Sequence, residues 1–450
     1  MTLTLPQRGI PRYALVFCLA LLLAPSLRAA VGGTGFSPQV RLGYQTGDQW
    51  EPAIAADGYG HLYILYPQYG RMPICPDCPL PSMTLLVSNN NGVSWLPPRQ
   101  ITSHLTGQFD PQIVVDPADH RTVYAAWLQD RSMDAMVAKS VDFGQSWSVV
   151  IANRGREDVD KPVLAVRGQD VYLGFNSDGE MRVAASHDGG ITFAVSSVAP
   201  ELNLVRALGG GATVDPQGGV HVAWVGYPRG ISAGQGAHLA LVGYSSARTT
   251  STRVNLYTSR SSDGGKTWTS VRMGSSSAAP DCWMFHCDAG FLGAQITIAS
   301  DAAGALYALW NAGKGYEAPQ RIYFASSTTA GETWSAPVDV SLAPKGVEHA
   351  FPALVAGEAG DVRIAWMDMR HASLWNTFYR SSTNGGATWS AESRLSSYVP
   401  GYRYIQSKGY SFPFGDYFEM DIDNQGRTQV VWGEGLNFRS PGSIWYSSGR

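Results

Sequence analysis

Along most of the chain apolar residues recur at every second position in short runs, and the runs come in pairs. Each pair is a short apolar run, a tight turn usually carrying glycine, and an alternating run that often ends in Trp or Tyr. Seven such pairs occur, at 52–67, 111–127, 162–175, 212–224, 294–310, 352–366 and 417–432. A period of two marks half-buried strands, so each pair predicts a hairpin. Their spacing of roughly 60 residues suits repeated four-stranded units around an axis.

A second signature, Ser-x-Asp-x-Gly-x-Thr/Ser-Trp, falls between the pairs. It is complete in Ser261, Asp263, Gly265, Thr267, Trp268 and in Ser140, Asp142, Gly144, Ser146, Trp147, and at 186–193 Phe193 replaces the Trp after Asp188. Three further copies carry Asn90, Asn384 or Thr329 in place of the acid. A short side-chain acceptor can hold backbone N–H groups further along a turn, and glycine takes the positive-φ position. Asn90, Asp142, Asp188, Asp263 and Asn384 are therefore structural, and Trp95, Trp147, Trp268, Trp334 and Trp389 are expected in the core between strands.

Each unit reads as inner strand A, strand B, strand C, the turn motif and outer strand D. The fold class is all-β, a seven-bladed β-propeller, with a six-bladed ring as the alternative. Six motifs serve seven hairpins, and the last run, 443–448, stops where a motif should begin. The stretch 33–40 resembles 331–338, so the N-terminal segment 36–42 is expected to pair with 443–448 and close the ring, leaving no free edge.

Alternation places the A–B turns and the motifs on one face and the other connections on the opposite face. All the length variation, at 68–82, 226–252, 273–290 and 396–415, belongs to that opposite face, and divergent loops on a regular scaffold mark a working surface. The groups expected there are Trp50, Glu51, Asp110, Asp160, Lys161, Arg206, Glu348, His349 and Asp416 at the starts of A strands. Asp130, Arg131, Asp368 and Arg370 follow B strands, in two segments, 127–131 and 366–370, that repeat one another. An arginine fork beside a channel suits a carboxylate ligand; an Asp–Arg brace of a loop is the alternative. The aromatic-rich stretch 402–417 offers flat rings for sugar faces or for loop packing.

With 450 residues, 15% charged and a net charge of −3, the chain has no basic run for nucleic acid. Arg8 and Arg12 precede an apolar run at 14–24, then Pro25 and Ala29-Ala30, which reads as a secretory signal peptide over 1–30. That run is too short to span a bilayer. The expectation is one extracytoplasmic domain, 31–450, secreted or periplasmic, monomeric, and without a transmembrane span. Cys75, Cys78, Cys282 and Cys287 then form two local disulfides, or a shared zinc site with His286 nearby. No cofactor is expected, with calcium and zinc left open.

The turn motif resembles the Asp-box (BNR) repeat of the sialidase superfamily across nearly the whole chain after residue 30. That resemblance implies a carbohydrate ligand, and in working sialidases an arginine triad for the substrate carboxylate, a Tyr nucleophile activated by Glu, and an Asp acid/base. These enzymes typically have six blades and open with Arg-Ile-Pro, where this chain has Trp50-Glu51-Pro52. The candidate catalytic residues are Asp130, Asp368 and Tyr417; the candidate substrate-binding residues are Arg131, Arg370, Arg206, Glu51 and Asp416. Two functions stay open: a glycan-binding propeller, with exo-glycosidase action on sialic-acid-type sugars as its catalytic form, and a noncatalytic interaction or assembly platform.

Overall fold

A computed structural model describes residues 35–44, 46–103, 105–153, 158–228, 253–277, 293–314, 318–371, 374–397, 415–435 and 442–449. The signal-peptide expectation, the pair Cys282 and Cys287, His286 and most of the 402–417 stretch lie outside them.

The described residues form seven antiparallel sheets. Strand β1 (Val40–Leu42) comes first in the chain. Blade 1 is β2 (Ala53–Ala56), β3 (Leu62–Gln68) and β4 (Ser82–Ser88); blade 2 is β5 (Phe109–Val115), β6 (Val123–Gln129), β7 (Asp134–Ser140) and β8 (Ser148–Ile151). Blade 3 is β9 (Val159–Arg167), β10 (Asp170–Ser177), β11 (Glu180–Ser186) and β12 (Ala194–Ser197). Blade 4 is β13 (Leu204–Val214), β14 (Val220–Pro228), β15 (Val254–Ser261) and β16 (Thr269–Ser276). Blade 5 is β17 (Ile296–Ser300), β18 (Leu306–Ala312), β19 (Arg321–Ser327) and β20 (Val338–Asp339). Blade 6 is β21 (His349–Ala356), β22 (Val362–His371), β23 (Leu374–Ser382) and β24 (Ser393–Arg394). Blade 7 is β25 (Glu419–Ile422), β26 (Thr428–Gly435) and β27 (Gly442–Gly449), completed by β1.

The chain is thus a seven-bladed propeller, and its first strand closes the last blade. Val40 pairs with Tyr446 and Leu42 with Ile444, while Ser37 N donates to Ser448 O at 2.8 Å. Blade 1 has no full outer strand; Leu85 and Arg99 exchange two backbone hydrogen bonds in its place.

Every motif begins on the last residue of strand C. In blade 4 Ser261 Oγ donates to Asp263 Oδ1 (2.7 Å) and accepts from Gly265 N (2.9 Å). Asp263 Oδ1 then accepts from Lys266 N and Thr267 N, and Oδ2 from Thr267 Oγ1 at 2.6 Å. Gly265 sits at φ +81°, a left-handed position that glycine takes without steric cost. Thr329 does the work of the acid in blade 5, accepting from Thr333 N at 2.9 Å.

The motif tryptophans are half-buried, not core as expected. They lie at the rim, where the turn leaves the sheet, and Trp268 Nε1 reaches Ser196 Oγ of blade 3 at 3.0 Å. The deep positions belong to strand B: Trp127, Trp224, Trp366 and Trp432 are fully buried within clusters. Three of them donate to the side chain two residues on: Trp127 to Gln129 (3.2 Å), Trp366 to Asp368 (2.9 Å) and Trp432 to Glu434 (2.9 Å).

A second turn fastener repeats at the A–B turns, where Asp57, Asp116, Asp215, Asp301 and Asp423 are all buried. Asp301 Oδ1 accepts from Ala303 N and Ala305 N, and its Oδ2 accepts from Tyr307 Oη (2.7 Å) and, across the blade boundary, Gly360 N (2.8 Å). In blade 4 Gly210 permits close packing: a Cβ there would meet Ile296 O at 2.0 Å.

Candidate functional site

The inner strands of all seven blades line a central cavity of about 340 Å³. Its walls are largely aliphatic and backbone, and ionisable groups gather where the A strands begin.

A local device puts them there. Glu51, Asp110, Lys161 and Phe351 each precede a proline and each has a positive φ, of 50°, 51°, 49° and 56°. A following proline disfavours the right-handed helical region, and the left-handed region is uncommon for residues other than glycine, at a cost of about 1–3 kcal/mol each. In blades 2, 3 and 6 a bulge accompanies it: the ladder shifts between Phe109 and Gln112, between Asp160 and Val163, and between Ala350 and Ala353. Bulges re-aim side chains, and in blades 1 to 3 the residue concerned is charged.

These side chains meet Asp416, which precedes β25. Lys161 Nζ lies 2.5 Å from Asp416 Oδ2 and 3.6 Å from Asp110 Oδ1. Glu51 Oε1 accepts from Asp416 N at 3.3 Å, and Gln295 Nε2 donates to Asp416 O at 2.6 Å. The Lys161 ammonium sits 5.5 Å from the centre of the Tyr417 ring. Beside them Arg206 Nη2 is 2.7 Å from Asp160 Oδ2.

Burial sets the protonation. It pushes the Glu51 carboxyl well above its usual range, with Asp416 and Asp110 adding repulsion and Lys161 opposing. Burial also raises Asp110 to about 6 despite Lys161. For Lys161 burial alone would favour the neutral amine, but Asp110, Asp416 and Glu51 outweigh it and hold the ammonium. Deeper along β25, Glu419 accepts from Ile54 N (3.2 Å) and Gln112 Nε2 (2.7 Å), and burial raises it to about 8. Asp421 accepts from Ala56 N at 2.7 Å and is raised to about 6 by burial.

Glu51, Arg206, Asp416 and Tyr417 therefore stand together with Asp110, Asp160 and Lys161. The Tyr417 hydroxyl donates to Pro111 O at 3.1 Å, and burial followed by the surrounding carboxylates holds it well above the usual phenol range. Trp50 is fully buried against Tyr69, ring centres 4.5 Å apart.

The two Asp–Arg segments lie elsewhere. Asp368 is completely buried, accepting from Trp366 and gripping Arg370 by Nε (2.9 Å) and Nη2 (2.6 Å). Arg370 also pairs with Glu392 and lies 3.8 Å from the Phe378 ring centre. Asp130 and Arg131 are exposed in the turn after β6, with φ of 51° and 57°, and Asp130 N donates to Thr106 Oγ1 at 2.9 Å. Asp368 Oδ2 also lies 3.7 Å from His349 Nε2 at the start of β21, and Met369 N donates to Glu348 O at 3.2 Å. Glu348 accepts from Gln320 N and Nε2, and His349 bonds Ser341 Oγ at 2.7 Å. Among the described residues no group of three or more His, Cys, Asp or Glu is arranged to hold a metal, and no helix is long and apolar enough to cross a membrane. Cys75 and Cys78 form a disulfide in the connection between β3 and β4.

Sequence reasoning missed Gln112, Gln295, Glu419 and Asp421. For the two acids a signal was present: Glu419 and Asp421 alternate on β25 and so share a face, in step with Tyr417 just before the strand.

No protein-family model matches the chain, and no curated protein matches it. Among solved structures the chain is similar to the PL25 polysaccharide lyase, ulvan lyase, at 13% identity and a TM-score of 0.49, over 90% of this chain and 95% of that one. It is similar to Hadza microbial sialidase Hz136 at 13% identity and TM-score 0.45, over 90% of this chain and 66% of that one. It is also similar to YCF48 bound to D1 peptide, at 11% identity and TM-score 0.43, over 92% of this chain and 96% of that one. At such identities the likeness is one of fold.

Proposed function

We propose that the protein is an extracytoplasmic glycan-binding propeller whose saccharide enters the channel mouth, with glycoside hydrolysis as the chemistry its carboxylates support. One observation carries this reading. Three neighbouring blades hold Glu51, Asp110 and Lys161 in an unfavourable backbone region, and these side chains converge with Asp416 at the end of a cavity near the lower size limit for small-molecule sites. Carboxylates, an ammonium and an amide beside the Tyr417 ring suit sugar hydroxyls and a ring face.

Burial supports the chemistry. Burial raises Asp110 to about 6 and pushes Glu51 well above its usual range, which favours the protonated carboxyl there, while Asp416 is paired with Lys161. Separated carboxyl pKa values are what general acid and base roles need. An acidic, sialic-acid-type sugar is less well served, because Lys161 and Arg206 already face carboxylates and Arg370 is held by Asp368 and Glu392. The favoured ligand therefore lacks a carboxylate. The Cys75–Cys78 disulfide and the leader-like N-terminus support an oxidising compartment.

A panel of neutral, amino and acidic aryl glycosides, with binding of the parent sugars measured calorimetrically, tests the reading. The expectation is turnover of a non-acidic glycoside that falls at least about 100-fold in Asp110→Asn. Binding without turnover would leave a lectin-like propeller, and a flat panel in both assays would transfer the function to an assembly platform.

A further inference from the structure

We propose that the channel mouth selects a cationic sugar, the protonated amino group of an unacetylated hexosamine seating between Asp416 and Glu51. This inference rests on the glycan reading above and names the class of sugar.

The charges do not balance. Asp160 is matched by Arg206, which leaves Glu51, Asp110 and Asp416 around the single ammonium of Lys161. Lys161 sits closest to Asp416 Oδ2, at 2.5 Å, and 3.6 Å from Asp110. Asp416 Oδ1 receives no hydrogen bond, although the residue is only 8% exposed and lines the cavity. A buried carboxylate oxygen without a donor is costly, and a ligand donor at that point would relieve it. An ammonium supplies both the donor and the missing positive charge, whereas an N-acetyl group supplies no charge and brings an extra amide to be desolvated.

Proton linkage gives the idea a signature that simple steric fit lacks. In the free protein Glu51 faces Asp416, Asp110, Lys161, Tyr69 and Tyr417, and burial plus its acidic neighbours favours its protonated form. Bringing a second cation beside it favours the carboxylate instead. The proton on Glu51 then leaves as the ammonium arrives, so binding is an exchange of a proton for a cation and strengthens as pH rises until the sugar amine itself titrates.

Calorimetric titration of the full chain with glucosamine, N-acetylglucosamine and glucose oligomers at pH 7, in phosphate and in MOPS buffers, is the test. The expected result is at least tenfold tighter binding of the glucosamine oligomer. Its apparent enthalpy should differ between the two buffers by an amount equal to the release of close to one proton, and the other two sugars should show no such difference. Asp416→Asn should erase the preference, and Glu51→Gln should erase the buffer dependence. Equal or tighter binding of the neutral sugars, or glucosamine binding without proton release, overturns the inference while leaving the glycan site standing. If none of the three sugars binds, the inference and the glycan reading both fall.

Discussion

Asp301 offers a quantitative test of how the blades are joined beneath the channel. Asp301→Ala removes the acceptor for four donors at once, two within its own turn and two at Oδ2, where Tyr307 Oη (2.7 Å) and Gly360 N of blade 6 (2.8 Å) converge. The turn amides can find water. The Tyr307 hydroxyl cannot, because the residue is only 2% exposed. Hydrogen bonds to a charged acceptor contribute about 1.5–3 kcal/mol each, so loss of the two Oδ2 bonds should cost roughly 3–5 kcal/mol after allowing for their coupling. Urea denaturation followed by tryptophan fluorescence reads the loss, and Tyr307→Phe completes a double-mutant cycle. Tyr307→Phe should destabilise the wild type by about 1–2 kcal/mol and the Asp301→Ala background by almost nothing, since the hydroxyl is already unpaired there. A cost below about 1 kcal/mol for Asp301→Ala, with additivity within ~0.5 kcal/mol, would refute the role given to this carboxylate.

Two further outcomes follow from the same geometry. Deleting residues 31–45 removes β1 and uncovers the edge of β27; Phe36 and Leu42, each 8% exposed, together contribute roughly 3–6 kcal/mol, so the thermal midpoint should fall, and an unchanged midpoint would count against ring closure. Glu419 binds its proton more tightly folded (about 8) than unfolded (about 4.3), so stability is greatest below the unfolded value and declines as pH rises towards 8. Urea midpoints at pH 5 and pH 9 should therefore differ less in Glu419→Gln than in the wild type, and an unaltered difference would show that this carboxyl is not the one titrating.

What was legible in the sequence is what local chemistry determines. The turn motifs could be read because Ser261, Asp263 and Gly265 fasten one another within five residues, and the seven hairpins because alternation and turn length are written in consecutive positions. Closure by 36–42 was visible as a displaced copy of an outer strand. The mouth was half legible: Glu51, Asp110, Lys161 and Asp416 follow from strand register, and a charged residue before proline recurs at 51, 110 and 161, where the backbone φ is positive.

Arg370 pairs with Glu392, 22 residues away on the approach to an outer strand, a contact that no local pattern exposes. The match of 127–131 to 366–370 has a structural counterpart. Gln129 and Asp368 share the task of accepting from a buried indole, and Trp-x-acceptor spacing is the signal that identifies it. The motif tryptophans follow a turn that leaves the sheet at its rim, so their large apolar rings signal core while the backbone denies them depth.

Comparing saccharide affinity in wild type, Asp416→Asn and Arg370→Ala by calorimetry at pH 7 decides most directly where the ligand goes. A channel-mouth site requires at least a tenfold loss, about 1.4 kcal/mol, in Asp416→Asn, and no more than a twofold change in Arg370→Ala. Unimpaired binding by Asp416→Asn, with loss in Arg370→Ala, would place the ligand on the Asp368–Arg370 segment and contradict the assignment.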